Sequence, residues 1–406
     1  MHTIPSEVCT QIVHCTNECA DLLALTCTSK EFQYAAEKKL YTSLAPRNAQ
    51  NTYLLCQAVV ARDHRGASVR RFILWLPTRQ ELPLRLWQAI QDALVTMINL
   101  EVLMLDDANF SNTWVLNSPE ITFQLLDANF YMPWDANMVA FLETQDRLQT
   151  LHVDEVLEDG PICPLSAGKL QTLHMFSGPL VAILELLASP LTHVQLTVDA
   201  EAAPIVPNIL AEMDRIKPLR SIAFVKLPEA HTLEVLQRHE VHRHLVQMRA
   251  LDTIDLDCTR WAPTPHDVFQ RMLAAELRTF CPNLRRVGFW FASLHCVWTC
   301  IDEDWGHPTN SQAQSAPPTP SITALPSLAH SLSSFPSMTS VTNDMVHYGM
   351  SCHTKSFSET KLHQALQKTK QRQSPSPSPT TPSRDLSDDD DEPGLFMLPK
   401  KHRVCC

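Results

Sequence analysis

Glycine is scarce in this sequence: eight glycines occur among 406 residues, about 2% where soluble proteins average ~7%. The sequence contains no G-x-G-x-x-G, no Walker and no G-x-S-x-G motif. These motifs need glycine because the backbone must approach a phosphate closely or expose a nucleophile on a tight turn. We therefore predict that the protein is not a nucleotide-dependent enzyme or a standard hydrolase, performs no chemistry itself and needs no cofactor.

Long apolar runs are also missing. No stretch of about 18 apolar residues occurs, and the first residues do not place a charged segment before an apolar run, as a secretion signal would. The thirteen cysteines show no paired spacing, so we expect reduced thiols rather than a disulfide framework. These features predict a soluble intracellular protein, in the cytoplasm, the nucleus or both, without a membrane partner.

Positive charge is in short supply over the first three quarters of the chain. Residues 1–305 hold 24 Lys and Arg against 36 Asp and Glu, a formal charge of −12, whereas residues 306–406 hold 9 against 8. Phosphate backbones are bound by concentrated Lys and Arg. We therefore predict that the protein does not bind nucleic acid, and that a protein partner carries complementary basic patches.

The first pattern that the sequence does contain is a set of short amphipathic helices over residues 1–45, the first predicted domain. Pro5 suits the first turn of a helix because its missing N–H needs no partner there, and Val8 and Ile12 then fall on one face. Asp21 is placed to cap a second helix with a mostly apolar face. A module this small buries too little apolar surface to fold alone, so it needs a partner surface.

Four strings of this segment resemble an F-box, in the divergent form common in fungal proteins: IPxEV at 4–8, DLLxL at 21–25, KxF at 30–32 and LYxxL at 40–44. The resemblance implies a docking module for the Skp-type adaptor of cullin–RING ubiquitin ligases. The residues that it implies for adaptor binding are Ile4, Pro5, Val8, Ile12, Leu22, Leu23 and Phe32. The alternative is that this segment forms only a helical cap on the next domain.

A short unit recurs in residues 46–305, the second predicted domain. Each unit has an apolar residue followed by two more at +3 and +5. Eight units fit, namely Val69/Phe72/Leu74, Leu100/Leu103/Leu105, Leu148/Leu151/Val153, Leu170/Leu173/Met175, Leu191/Val194/Leu196, Leu219/Ile222/Phe224, Leu251/Ile254/Leu256 and Leu284/Val287/Phe289. A ninth strand is predicted at Ile121/Phe123/Leu125. Spacings of roughly 20 to 33 residues are typical of an irregular leucine-rich repeat.

The second and third apolar residues of each unit fall on one face of a short strand, because side chains alternate along a strand. Between the strands, apolar patterns predict helices at 84–98, 138–143, 180–187, 205–216, 233–246 and 268–280. One strand and one helix cannot bury their own apolar face, so the units must stack. We predict an α/β repeat fold, a leucine-rich-repeat-like solenoid with parallel strands on its concave side; an unrelated α/β fold is the alternative.

Residues 306–406 form the third predicted region, a disordered tail rich in Ser, Thr and Pro and then in acidic residues. Residues 374–392 read SPSPSPTTPSRDLSDDDDE, a composition that cannot bury enough apolar surface to fold. Five hydroxyls precede proline or a run of aspartates and are candidate phosphorylation sites: Ser374, Ser376, Ser378, Thr381 and Ser387. A plain spacer is the alternative. The terminal Cys405-Cys406 lacks a prenylation box, so we expect no lipid there.

Two clusters of potential metal ligands fall short of a site. The HEVHRH run at 239–244 lacks the H-E-x-x-H spacing that places two imidazoles on one helix face. The second cluster is His295, Cys296, Cys300 and His307. Cys296 and Cys300 share a predicted helix face, but apolar residues surround them, so we interpret them as buried thiols of the last repeat. We therefore predict no metal site.

Together these patterns predict a substrate-recognition subunit of a Skp/cullin-type ubiquitin ligase. The N-terminal module would dock the adaptor and, through it, the cullin subunits, while the concave face of the solenoid would hold an unidentified target protein. Such a subunit acts by proximity, because it converts a bimolecular encounter into a tethered one. The alternative is a leucine-rich-repeat-like interaction scaffold without ligase coupling.

Overall fold

A computed structural model describes residues 4–75, 81–155, 163–198, 202–213, 216, 218–226, 239–291, 294–301, 304–306 and 309–312. N-terminal helices are followed by alternating strands and helices that form one long, mostly parallel sheet. This architecture is that of a leucine-rich-repeat-like solenoid and confirms the predicted fold class.

The N-terminal helices are α1 (Ser6–Cys15), α2 (Cys19–Thr26) and α3 (Lys30–Leu40). Ser29 begins α3 by accepting a hydrogen bond from the main-chain N–H of Phe32 at 3.3 Å, as expected for an N-cap serine. The three helices share a small apolar core of their own, separate from the core of the sheet, formed by Val13, Leu22, Ala35 and Ala36, with Leu25, Phe32 and Leu40 packed around it.

The remaining described helices are α4 (Ala49–Val60), α5 (Asp63–Gly66), α6 (Leu84–Thr96), α7 (Ala136–Leu142), α8 (Val206–Met213), α9 (His239–Gln247) and α10 (Asp267–Phe280). Of the predicted helices, 84–98, 138–143, 205–216 and 268–280 are found with small shifts at their ends. The 180–187 segment is a 3₁₀ helix, Ala182–Leu186, and the first part of 233–246 lies outside the described residues. Within those residues, no helix is long and apolar enough to cross a membrane.

The sheet contains β1 (Ser43–Leu44), β2 (Arg71–Leu74), β3 (Val102–Asp106), β4 (Asp127–Pro133), β5 (Thr150–Glu155), β6 (Met175–Pro179), β7 (His193–Thr197), β8 (Ser221–Val225), β9 (Thr253–Asp257), β10 (Arg286–Phe291), β11 (Leu294–Ile301), β12 (Asp304–Trp305) and β13 (Thr309–Gln312). Strands β1 to β10 are parallel and lie side by side in chain order. β11 is antiparallel to β10 and also pairs with β12 and β13.

The +3 and +5 apolar residues align in register across the parallel strands. Leu103 pairs with Phe72 and Leu105 with Leu74, and the same two rows continue to the last repeat. Except for Gly178, the residues of both rows belong to the main hydrophobic core, together with residues of the helices. The predicted stacking of repeats is therefore confirmed at the level of side-chain register.

Each repeat is also joined to the next through one carbonyl before its strand. The carbonyl oxygen of Thr42 accepts hydrogen bonds from the main-chain N–H groups of Arg70 at 2.9 Å and Arg71 at 3.1 Å, and Asp252 plays the same part for the last parallel pair. Because Thr42 lies only two residues after the end of α3, the first repeat begins where the N-terminal helices end.

Two predicted strands are misplaced. Residues 121–125 form no strand; Phe123 and Leu125 are buried in the core, and the strand is β4, whose ladder residues are Ala128 and Phe130. The alanine at +3 of that unit weakened the apolar signal. In the fourth unit the ladder residues are Phe176 and Gly178 rather than Leu173 and Met175.

The C-terminal end of the sheet also differs from prediction. Cys296 and Cys300 lie on strand β11 and not on a helix, although alternation still places them on one face. Cys296 is buried and Cys300 is half-buried. Residues 309–312, assigned from sequence to the tail, form β13 and pair with β11.

Candidate interaction surfaces

Helix α1 and the segment just before it expose a row of large apolar side chains. Ile4, Val8 and Ile12, spaced four residues apart, are 50%, 45% and 41% exposed, whereas Cys9 and Val13 on the opposite face are buried. Val8 and Ile12 lie about 6 Å apart along the helix axis, at a rise of about 1.5 Å per residue, and Ile4 continues the row before the helix begins. We call these three residues the α1 stripe. A row of this kind fits the groove of a partner protein.

The other predicted adaptor-binding residues divide into two groups. Pro5 is exposed immediately before α1, and Leu23 on α2 is 54% exposed. Leu22 is buried in the small core of the N-terminal helices, and Phe32 packs against that core. Leu22 and Phe32 therefore hold the helices together, while Pro5 and Leu23 remain available to a partner.

Lys39 on α3 fixes the position of α1. Its Nζ donates hydrogen bonds to three main-chain carbonyls at the end of α1, those of Val13 at 3.1 Å, His14 at 2.8 Å and Thr16 at 2.6 Å. The last carbonyls of a helix have no partner within the helix, and a cation also complements the negative end of its dipole. The α1 stripe is therefore held at a defined place on α3.

A buried carboxylate joins the N-terminal helices to the first repeat. Glu37 on α3 is only 4% exposed, and it accepts hydrogen bonds from Arg65 Nη2 at 2.6 Å and from Arg62 Nη1 at 3.2 Å. His64 Nε2 lies 2.7 Å from the same carboxylate. Hydrogen bonding from Arg65, aided by His64 and Gln33 and opposed by burial, lowers the pKa of Glu37 to about 2. Glu37 therefore stays ionised and ties α3 to the segment around α5.

A second candidate surface lies on the sheet. It is the face that carries the +4 residue of each unit, between the +3 and +5 apolar residues. We call it the second face. Its side chains include Met104, Tyr131, Met175 and Ala223, which are largely buried but do not belong to the main core. Because side chains alternate along a strand, this face lies opposite the one that the ladder residues bury.

Four polar residues align in one row of the second face. Asn129, His152, Ser177 and Gln195 are register partners on the neighbouring strands β4 to β7, and we call them the polar row. His152 Nδ1 and Ser177 Oγ lie 2.9 Å apart in a hydrogen bond. Asn129 Oδ1 and Gln195 Oε1 are buried and have no hydrogen-bond partner among the described residues. The polar row thus combines two side chains fixed by a hydrogen bond with two half-buried amides whose oxygens are buried and lack a donor.

Aromatic rings border the polar row on one side. The ring of Tyr131, 7% exposed, lies 5.1 Å from the ring of His152, and the ring of Trp75 meets Tyr131 edge-on at 5.4 Å. Aromatic side chains beside polar groups are frequent anchors in protein interfaces. This end of the second face can therefore pack against apolar parts of a partner.

An acid–histidine pair lies at the other end of the second face. His295 Nε2 is 3.3 Å from Asp255 Oδ1, and the ring of Trp290 stacks on His295 at 3.8 Å. Gly288 lies on the strand between Asp255 and His295. A Cβ at this position would overlap Asp255 Oδ1 and approach His295 Nε2 to 2.5 Å. Glycine at this position therefore makes room for the pair.

Asp127 adds a titratable group to the second face. It opens β4 beside the polar row, in register with Val102 and Thr150. Burial raises the pKa of Asp127 to about 6, and the charge of Arg71 acts in the opposite direction. The charge of this part of the surface therefore changes close to neutral pH.

No group of three or more His, Cys, Asp or Glu side chains is arranged to hold a metal ion in the part of the chain that the structure describes. The predicted phosphorylation sites and the terminal cysteines lie outside that part: Ser374, Ser376, Ser378, Thr381, Ser387, Cys405 and Cys406.

The polar row was not identified from sequence, although the signal is present. Its members are the residues at +4 of their units, between the two apolar ladder positions. Ladder register makes those positions neighbours in space, so listing the +4 residues of consecutive units brings Asn129, His152, Ser177 and Gln195 together. The misplaced strands at 121–125 and 173–175 hid two of the four.

No protein-family model matches the chain, and a comparison with curated proteins finds no match. The function of the protein must therefore be inferred from its fold and from its two surfaces.

Proposed function

We propose that the protein is a substrate-recognition subunit of a Skp/cullin-type ubiquitin ligase, in which α1–α3 dock a Skp-type adaptor and the repeat sheet holds a target protein. The observation that carries this proposal is the α1 stripe. Three large apolar side chains, Ile4 just before α1 and Val8 and Ile12 on it, stay 41–50% exposed, whereas Cys9 and Val13 of the same helix are buried. Apolar surface presented in this way is characteristic of a binding site for another protein.

The short connection between the N-terminal helices and the sheet supports a role in holding a target protein close to an adaptor. Only two residues separate α3 from β1, and Glu37 ties α3 to Arg62 and Arg65 of the first repeat. A partner on α1 and a target on the sheet would therefore be held at a defined separation. Such an arrangement raises the effective concentration of the target near the transferring subunits, which carry out the ubiquitin chemistry.

The second face supports the other half of the proposal. It offers hydrogen-bonding groups in the polar row and aromatic rings beside them. Polar groups give a partner its register, and tyrosine and tryptophan are enriched among the residues that contribute most to binding. A target protein is thus the class of ligand that this surface suits.

Direct mixing of the purified full-length chain with purified Skp-type adaptor tests the proposal. We expect the wild-type chain to co-elute with the adaptor, and Val8→Asp to abolish co-elution, because a carboxylate buried in an apolar interface costs several kcal/mol. Val268→Asp is the matched control, since Val268 is 65% exposed at the start of α10 and far along the chain from α1.

Circular dichroism melting of both variants checks that the fold is intact. Co-elution of Val8→Asp with the adaptor would refute the assigned surface. A folded wild-type chain that fails to bind the adaptor would refute the ligase proposal and favour an interaction scaffold.

A further inference from the structure

We infer that the second face of the sheet binds an extended, basic segment of a target polypeptide, whose main chain crosses the strands along the polar row and whose Lys or Arg side chain meets Asp255. The inference deepens the proposed function, and it rests on that proposal only in taking the sheet as the target-binding part. The chemical class of the ligand follows from three side chains of the second face: the amides of Asn129 and Gln195 and the carboxylate of Asp255.

The first argument is the unmet hydrogen bonding of the two amides. Asn129 Oδ1 and Gln195 Oε1 are buried, and no described residue donates to either of them. Buried acceptors without donors destabilise a fold, so native proteins rarely keep them unless something else supplies the donor. A side-chain amide offers an acceptor and two donors. Asn129 and Gln195 are half-buried, so binding requires each amide to rotate until its oxygen reaches the surface, where the group can pair with both the N–H and the C=O of a peptide main chain.

The second argument is spacing. Asn129 on β4 and Gln195 on β7 are three strand steps apart in the same row, which corresponds to about 14 Å. An extended chain advances about 3.4 Å per residue, so four residues span that distance. In a strand-like segment, the main-chain N–H and C=O groups of residues i and i+4 point to the same side. Both amides can therefore engage one segment that runs across the sheet.

The third argument is the path beyond Gln195. The next residues of the same row are Ala223, Asp255 and Gly288. Ala223 and Gly288 have the smallest side chains available, so the main chain of a bound segment can pass over Ala223 and reach Asp255. The ring of Tyr131 closes the opposite end beside His152.

The fourth argument is charge. Asp255 uses Oδ1 toward His295, whereas the neighbouring Asp257 uses both carboxylate oxygens to accept main-chain N–H groups of Lys226 and Thr259. The side chain of Asp255 is 17% exposed, and its Oδ2 is the oxygen that we assign to a cation of the bound segment. Residues 1–305 carry a formal charge of −12, which attracts a basic partner over longer distances.

A peptide-binding assay with the full-length chain tests this inference. The probes are two pools of fluorescein-labelled, acetylated and amidated decapeptides, one with Lys or Arg fixed at the eighth position and one with Asp or Glu there, measured by fluorescence anisotropy. We expect the basic pool to bind at least tenfold more tightly than the acidic pool. Asp255→Asn should remove most of that preference and leave only the longer-range attraction of the other acidic residues.

Variants of the amides separate recognition from a structural role. Asn129→Leu and Gln195→Met should each weaken binding of the basic pool about tenfold. Both should leave the melting temperature unchanged or raise it, because an apolar residue of similar shape removes a buried acceptor that lacks a donor. Gln88→Met, on the exposed side of α6, is the matched control and should leave binding unchanged.

Equal binding of the two pools, or unchanged affinity in Gln195→Met, would overturn the inference. A synthetic peptide of residues 355–372 serves as a further probe, because that segment of the chain carries five basic residues and one acidic residue. Tighter binding of this peptide than of the basic pool would make the chain's own tail the occupant and would likewise overturn it. The peptide assay contains no adaptor, so a negative result in it refutes only the peptide-binding inference. Persistent co-elution of Val8→Asp in the adaptor test refutes only the proposed docking surface.

Discussion

Replacing Glu37 by Gln should uncouple the N-terminal helices from the sheet. Glu37 lies on α3, is almost fully buried and is held by Arg62, His64 and Arg65. Gln keeps the shape of the side chain but removes its charge. The two arginines then lose their shared anion, and the amide places an N–H donor where only donors face it.

The pKa of Glu37 sets the expected magnitude. Lowering the pKa of a carboxyl from 4.5 to about 2 corresponds to about 3 kcal/mol of stability at neutral pH. A similar cost, about 3 to 5 kcal/mol, is typical when one partner of a buried ion pair is removed. We therefore expect Glu37→Gln to lower the free energy of unfolding of the N-terminal helices by about 3 kcal/mol.

Hydrogen exchange measured by mass spectrometry reports this change where it occurs, because it separates the amides of α1–α3 from those of the sheet. Glu101→Gln is the matched control: Glu101 forms an ion pair with Arg70 at 2.7 Å, but both side chains are more than one-third exposed. Exposed pairs contribute about 1 kcal/mol or less. Equal effects of Glu37→Gln and Glu101→Gln would refute the role assigned to the buried carboxylate.

The same group predicts a pH dependence. Because the pKa of Glu37 is lower in the folded protein than in the unfolded chain, its contribution is fully present above about pH 4.5 and is lost as the pH falls toward 2. The difference between wild type and Glu37→Gln should therefore be constant from pH 7 to pH 5 and shrink below that. A difference that shrinks already between pH 7 and pH 5 would point to another group.

Three further predictions concern single side chains. Lys39→Met should cost the N-terminal helices about 2 kcal/mol and raise amide exchange at the end of α1, because three carbonyls lose their donor; unchanged exchange would contradict the capping role. Asp135 accepts the main-chain N–H of residue 138 at 2.9 Å at the start of α7 and also the hydroxyl of Thr113, so Asp135→Ala should lower the free energy of unfolding in urea by about 1 to 2 kcal/mol; an unchanged free energy of unfolding would argue against the cap. Burial raises the pKa of Cys56 to about 12, so iodoacetamide at pH 8 should alkylate the exposed Cys15 and leave Cys56 unmodified until the protein unfolds, as mass spectrometry can show.

The sheet could be predicted from sequence wherever both ladder positions are large and apolar. Units such as Leu219/Ile222/Phe224 form strands in the expected register because burial of those two side chains dominates the local energetics. The prediction failed at Ala128 and Gly178, which occupy ladder positions without contributing much apolar surface. There the neighbouring strands, rather than the local residues, determine the register.

The C-terminal hairpin and the polar contacts were harder to predict. Cys296 and Cys300 are compatible with a helix or a strand, and only the pairing of β11 with β10 decides between them. The ion cluster of Glu37 joins residues that are 25 to 28 positions apart, a separation at which charged residues leave no periodic signal. Adaptor docking through the α1 stripe stays a prediction.

The join between α3 and β1 limits how the molecule can accommodate partners of different size. Tyr41 and Thr42 are the whole connection, and the carbonyl of Thr42 is already engaged by the next repeat. The protein therefore lacks a hinge at this point that could swing a bound partner nearer or farther. If one macromolecule attaches to the N-terminal helices and another to the sheet, any adjustment of the distance between them has to come from those two partners.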